Sequence, residues 1–179
     1  MPRTLRLLAL LVFCTLAACS SDAPAPDISL VDQHGERWTL SAQRGAPLAV
    51  YFGYTHCLDT CPTMLAKLTK SLANVPDAKV VFVTVDPERD TPRVLDAYAK
   101  RFTGAPIVAL TGTQGEVSAA ENAYHVWAQK IPGKRGNDNY DDAHASYAFL
   151  IDSDGVQRAL FHDDDSMTTI ADAVEKMTQ

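Results

Sequence analysis

Two cysteines and a histidine carry most of the chemistry this sequence offers. Cys57 and Cys61 stand four positions apart in YFGYTHCLDTCPTM (residues 51–64), at the end of a hydrophobic run. Such a pair can be a structural disulfide, a redox couple or two soft ligands for a metal ion. A bridge closing so short a loop removes little entropy from the unfolded chain, so a purely structural disulfide is the weakest of the three. A common redox motif has two residues between its cysteines, and here there are three. If a helix begins near Cys57, both sulfurs fall on one face about one turn apart. They can then share one cation, and they are also near enough to oxidise to each other. The partial positive charge of a helix N-terminus favours thiolate, which helps either chemistry. His144, just before the apolar run of HASYAFLID (144–152), can add an imidazole. Two thiolates suit Cu(I), and an imidazole makes Cu(II) acceptable too. A structural zinc site usually takes a fourth protein ligand. Copper, as Cu(I) or Cu(II), is the best match to this ligand set.

The elements that must position these residues follow from the pattern of apolar side chains. PLAVYFGY (47–54) and KVVFVTV (79–85) read as strands buried on both faces. Between them Met64, Leu65, Leu68 and Leu72 recur at helical spacing, predicting a helix over 59–73. DPERDTP (86–92) is a loop into a second helix, with Thr91 as N-cap and Pro92 at the first helical position. Val94, Leu95, Tyr98 and Phe102 mark its inner face. PIVAL (106–110) is a third strand, and Thr113 with Glu116 fits a capping box for a helix reaching about Ala128. KIPGKRGNDNYDD (130–142) reads as an exposed loop. SYAFLID (146–152), the SDG turn and VQRALF (156–161) form a hairpin, and Ser166 caps a last helix with Ile170, Ala173, Val174 and Met177 inward. Upstream, residues 27–40 hold two short strands around His34-Gly35. Two βα units followed by a hairpin and a helix describe an α/β, thioredoxin-like sandwich with an N-terminal β-hairpin extension. The cysteines then lie at the carboxyl edge of the sheet, where α/β folds commonly place their sites.

The opening residues read as a targeting segment. Arg3 and Arg6 precede an apolar run over 7–18 that is too short to span a bilayer as a mature helix. LAAC (16–19) resembles the lipobox of bacterial lipoproteins, in which the signal is cut before a cysteine that then carries lipid. Residues 1–18 are therefore expected to be a signal peptide, and residues 19–27 a lipidated Cys19 with a short Pro-rich tether. Residues 28–179 form one domain of adequate size for a core. Loss of the two arginines moves the formal charge from −6 to −8, which argues against nucleic acid as a partner. Of the four cysteines only Cys57 and Cys61 remain as thiols, in an oxidising, exported setting.

Several motifs in order resemble the Sco/SenC copper chaperones over roughly residue 28 to the end: YFGYTHCLDTCP (51–62), VDPERDTP (85–92), LDAYAKRF (95–102), LTG (110–112) and HASYAFLID (144–152). The resemblance implies a membrane-tethered thioredoxin-like domain facing the periplasm that binds copper through Cys57, Cys61 and His144. It implies metal taken from a periplasmic donor and delivered to the binuclear copper A site of cytochrome c oxidase, in subunit II. Such a protein is a metallochaperone rather than an enzyme. A thiol–disulfide oxidoreductase that keeps the acceptor's cysteines reduced is the alternative, and a peroxiredoxin-type peroxidase a weaker one. Leu58 stands where the family usually has proline, and Ala145 where it usually has serine, with Ser146 one place later.

Other candidates read as structural. Asp59 is a helix-start acid, His56 a rim residue that can lower the Cys57 pKa when protonated, and Asp86 a turn former before Pro87. His34 sits in a turn, His125 within a helix, and His162 beside a solvated run of aspartates (163–165). Tyr98, Phe102, Tyr124 and Trp127 are expected in the core or on helix faces.

Overall fold

The computed structural model describes residues 24–132 and 140–179. The expected signal peptide, Cys19 and the first part of the tether lie outside them. Among the described residues no helix is long and apolar enough to cross a membrane.

A seven-stranded sheet forms the centre. Its strands are β1 (Ser29–Asp32), β2 (Arg37–Thr39), β3 (Leu48–Gly53), β4 (Lys79–Thr84), β5 (Ile107–Thr111), β8 (Tyr147–Ile151) and β9 (Gln157–His162), in the order β2-β1-β5-β4-β3-β8-β9. The interior strands β3, β4 and β5 run parallel, as their continuous apolar runs require of strands covered on both faces. Every residue of β3 is buried. β8 and β9 close one side as an antiparallel hairpin. The N-terminal hairpin β1–β2 extends the other, pairing antiparallel with β5. The helices are α1 (Thr60–Ser71), α2 (Pro92–Ala99), α3 (Gln114–Ala123) and α4 (Met167–Met177). α1 buries Met64, Leu65 and Leu68 and packs beside α4, which buries Ile170 and Val174, with Ala173 and Met177 partly covered.

The expected caps form unequally. Thr113 and Glu116 make the full capping box, and the Ser166 hydroxyl accepts from the Thr169 N–H. Thr91 and Asp59 occupy N-cap positions, but neither side chain makes a capping hydrogen bond.

Four expectations are corrected. The third helix stops at Ala123, because His125 adopts a left-handed conformation (φ 54°) and ends it. His125 is thus in a turn, and Trp127, 56% exposed, is not a core residue. The stretch expected to be a loop contributes a two-stranded antiparallel ribbon, β6 (Ala128–Pro132) with β7 (Tyr140–His144), while residues 133–139 lie outside the described part.

The two ends of the sheet differ. Gly53 leads into the cysteine segment at one end. At the other, Leu48 lies opposite Ile151, and the turn after Ile151 holds the start of the domain: Pro24 bridges Val156, and the Ala25 N–H donates to the Gly155 carbonyl at 2.9 Å. The length of β3, about 20 Å for its six residues, separates Pro24 from the cysteines.

Candidate metal site

After β3 the chain turns sharply, with the Cys57 N–H donating to the Tyr54 carbonyl at 3.3 Å, and α1 begins only at Thr60. Cys57 therefore precedes the helix and Cys61 sits in its first turn. Their sulfurs converge because Cys57 Sγ caps the helix, accepting from the Cys61 N–H at 3.3 Å and also from the Asp59 N–H. The sulfur fills the place left by the uncommitted Asp59 side chain. Both cysteines are free, Cys57 half-buried and Cys61 fully buried.

The turn is braced from β4. Asp90 accepts from the Thr55 N–H (3.0 Å), the Thr55 hydroxyl (2.5 Å) and the Thr84 hydroxyl (2.6 Å), all in a fully buried position. Burial pushes the Asp90 carboxyl up, the three donors pull it back, and the Asp86 charge pushes it further. Asp86, also buried, pairs with Arg89, whose guanidinium lies 5.9 Å from the centre of the Tyr54 ring. His56 Nδ1 reaches the Thr55 hydroxyl at 3.2 Å and stands 3.9 Å from Asp90. Ligand atoms of His56, Asp86 and Asp90 all fall within 4.8 Å of one another, but Asp86 and Asp90 are already occupied by Arg89 and the threonines.

His144 arrives from β7. Its Nε2 lies 3.6 Å from Cys61 Sγ, and its ring stands edge-on to Tyr54 with centres 5.8 Å apart. Nδ1 is 3.1 Å from the Ala145 carbonyl, which places the proton on Nδ1 and leaves the Nε2 lone pair facing the sulfur. The 3.6 Å separation matches that of two donors on one ion with metal–sulfur and metal–nitrogen bonds of about 2.3 and 2.0 Å.

The two thiols are electrostatically unequal. The Cys61 thiol donates to Cys57 and, against the cost of burial, pulls the Cys57 pKa down to about 5; the N–H groups of Cys61 and Asp59 add to this, as does His144 when its ring is protonated. Cys61 moves the other way: keeping its proton for Cys57, burial and the Cys57 charge all raise it, against donation from Tyr51 and the Tyr54 N–H. Near neutral pH the reduced pair is one thiolate and one thiol. This arrangement can capture a soft cation with loss of one proton, or attack a disulfide through Cys57.

The sequence reading placed Cys57, Cys61 and His144 in one site, and the structure brings them together. It leaves His34 at its turn, and His162 at the end of β9 with its ring against Tyr147. Three contributors were not foreseen: Asp90 and Thr55, which brace the turn, and Tyr51, whose hydroxyl draws the Cys61 thiol down against burial. A tyrosine in the middle of an apolar strand was a usable signal, since a buried phenol needs a partner.

The family model described as SCO1/SenC matches residues 20–179. The chain belongs to the SCO1/SenC family. A SCO2-like protein of Rickettsia felis is 35% identical over 144 residues, covering 78% of this chain and 70% of that protein. Among solved structures, copper-bound ScoI of Arabidopsis thaliana superposes with a TM-score of 0.78 at 29% identity, covering 87% of this chain and 98% of that one. Copper-bound ScoI of Bradyrhizobium japonicum does so with a TM-score of 0.74 at 31% identity, covering 87% and 99%. The thioredoxin-like α/β fold is thus that of SCO1/SenC proteins, and these two neighbours hold copper.

Proposed function

We propose that this SCO1/SenC protein is a membrane-tethered copper carrier that delivers the metal to the binuclear copper A site of cytochrome c oxidase, in subunit II. Cys57, Cys61 and His144 are its ligands, and lipid on Cys19 is its anchor in the bacterial envelope. The observation that carries the reading is the 3.6 Å approach of His144 Nε2 to Cys61 Sγ, beside a second sulfur already held as a thiolate acceptor. The copper-bound neighbours support it. Thiolates retain Cu(I), and the imidazole extends the set to Cu(II). Transfer is ligand exchange: copper arrives from a periplasmic donor, and an incoming thiolate of the acceptor displaces one donor at a time. The start of the domain is pinned at the sheet end opposite the cysteines, so a tether leaving from Pro24 presents the site away from the bilayer.

The test is copper retention by the reduced domain against a Cu(I) chelator. Wild type is expected to keep one copper, and Cys57→Ala or Cys61→Ala to lose it. Equal retention by wild type and Cys57→Ala would sink the ligand assignment.

The lowered Cys57 pKa favours a second reading, a thiol–disulfide reductase for the acceptor's cysteines. There the Cys57 thiolate attacks an acceptor disulfide and releases one acceptor thiolate. Cys61 then displaces the second and leaves a Cys57–Cys61 disulfide. Such a reductase does not need His144, so His144→Ala should leave disulfide reduction intact while copper retention falls.

A further inference from the structure

Tyr51 is fully buried in the middle of β3, with its ring stacked 6.2 Å from that of Phe82. Its phenol oxygen lies 3.1 Å from Ser146 Oγ, and its hydroxyl acts as a donor toward the buried Cys61 sulfur, drawing that thiol down against the effect of burial. The sulfur and the edge of the tyrosine ring both lie against the backbone of Gly53. A Cβ added at Gly53 would stand 2.9 Å from Cys61 Sγ and 3.2 Å from the Tyr51 ring, so sulfur and ring edge crowd the same glycine. The phenol has one proton to give. Given to Ser146, it would turn an oxygen lone pair toward the buried sulfur. Given to the sulfur, it leaves Oη as acceptor for the half-buried Ser146 hydroxyl, which can rotate to supply its own proton. When Cys61 is an anionic ligand, the second arrangement satisfies every group.

We propose that Tyr51 is a positioning residue for Cys61 in its metal-bound form, with Ser146 acting through it as a relay: Ser146 O–H to Tyr51 Oη, Tyr51 O–H to Cys61 Sγ. The proposal rests on the reading of Cys61 as a copper ligand. The Tyr54 N–H completes the shell on that sulfur, whereas Cys57 takes its donors from the helix end, so each sulfur has its own set. A hydrogen bond to a metal-bound thiolate draws electron density from sulfur, which stabilises the lower oxidation state of the metal. It also moves sulfur-to-Cu(II) charge transfer to higher energy. Tyr51 thereby holds the site toward Cu(I) without contacting the ion. Ser146, displaced by one place from the position usual in the resemblance noted above, is the residue that keeps the phenol proton turned inward.

The test compares Tyr51→Phe, Ser146→Ala and the double variant, loaded with Cu(II) and with Cu(I). Phenylalanine keeps the ring contact with Phe82 and removes only the hydroxyl. Its charge-transfer band is expected at longer wavelength than that of wild type, and its Cu(I) dissociation constant about tenfold weaker, the value of one hydrogen bond to a charged group. Ser146→Ala is expected to shift the band in the same direction by less. The double variant should match Tyr51→Phe, because the serine acts through the phenol. An unchanged band in folded Tyr51→Phe, or additive effects in the double variant, overturns the proposal. Should Tyr51→Phe fail to fold, Ser146→Ala decides, since it removes nothing from the core; a band identical to wild type overturns the relay. A wild type that retains neither Cu(I) nor Cu(II) against a chelator overturns the copper reading, and this assignment with it.

Discussion

Cys57 and Cys61 follow β3, an interior strand of the seven-stranded sheet, whereas His144 ends a two-stranded ribbon that shares no ladder with that sheet. The cysteine turn is held from several directions. Asp90 ties Thr55 to β4, the Cys57 sulfur caps α1, and the Cys61 sulfur lies against Gly53. The ribbon has its own β6–β7 pairing, the Ala145 N–H bonded to the Trp127 carbonyl at 2.9 Å, and the edge contact of His144 with Tyr54. The difference teaches how a carrier can bind firmly and still release. On the copper reading proposed above, two soft ligands are preorganised by the core, and the third is brought by a ribbon outside the main sheet. Trp127 and Leu58, 56% and 77% exposed, are large apolar side chains next in sequence to elements of the site, on the side from which the proposed acceptor would approach.

The sharpest way to break that contrast is to remove the imidazole. His144→Ala should cut Cu(II) retention by more than the ~10–100-fold cost of losing an outer partner, and Cu(I) retention by distinctly less, because two thiolates alone suit Cu(I). Competitive titration with chelators for each oxidation state measures both. Thermal stability should hardly change, since the histidine side chain is only half-buried and its ribbon stands apart from the main sheet. A large fall in stability would show that the ribbon is part of the core after all.

The opposite perturbation strikes the brace. Asp90→Ala leaves the Thr84 hydroxyl and the Thr55 N–H and hydroxyl without their acceptor in a buried setting. That should cost about 2–4 kcal/mol of unfolding free energy, read by denaturant titration of the reduced apo protein. Asp90→Asn keeps one acceptor oxygen and should cost less. If Asp90→Ala were as stable as wild type, the turn would owe its shape to the helix alone.

How much of this was legible depended on whether the deciding contacts were local. Strands β3, β4, β5 and β8 announced themselves as apolar runs, and the Thr113–Glu116 box is a contact across three residues. The ribbon was missed because residues 130–142 are polar and rich in turn formers; what makes 130–132 and 140–142 strands is pairing between two segments, as at Ala128 and His144. The early end of α3 was missed because His125, not a glycine, takes the left-handed position. At the site, ligand types and spacing pointed to Cys57, Cys61 and His144. Asp90 did not stand out, because a buried carboxylate is explained only by donors that tertiary structure supplies. The hydroxyl of Tyr51 was hidden in the same way inside a run that read as pure core.

The smallest effect concerns the inequality of the two sulfurs, which sharpens the comparison at its centre. With Cys57 pulled down to about 5, reduced apo protein should be alkylated first at Cys57, with a rate that rises through about pH 5 and is nearly flat from pH 7 to 8. Peptide mass mapping after short iodoacetamide pulses reads both site and midpoint. In Cys61→Ala the largest cause of the shift, the donated thiol proton, is gone, while the backbone N–H groups remain. The midpoint should therefore move up toward the ordinary thiol value of about 8.5 without reaching it. The sign for stability follows from the same inequality. The lowered Cys57 stabilises the fold most above its unfolded pKa, and that contribution is lost as pH falls toward 5. The raised Cys61 contributes fully below the unfolded value, and its contribution is lost as pH rises beyond it. The reduced pair should thus favour folding most near the ordinary thiol pKa. Cys57→Ala should flatten the rise in melting temperature between pH 5 and 8. An unaltered profile in that variant would mean that the thiolate is no better held in the folded chain than in the unfolded one, and that the helix cap on Cys57 does not select its charged form.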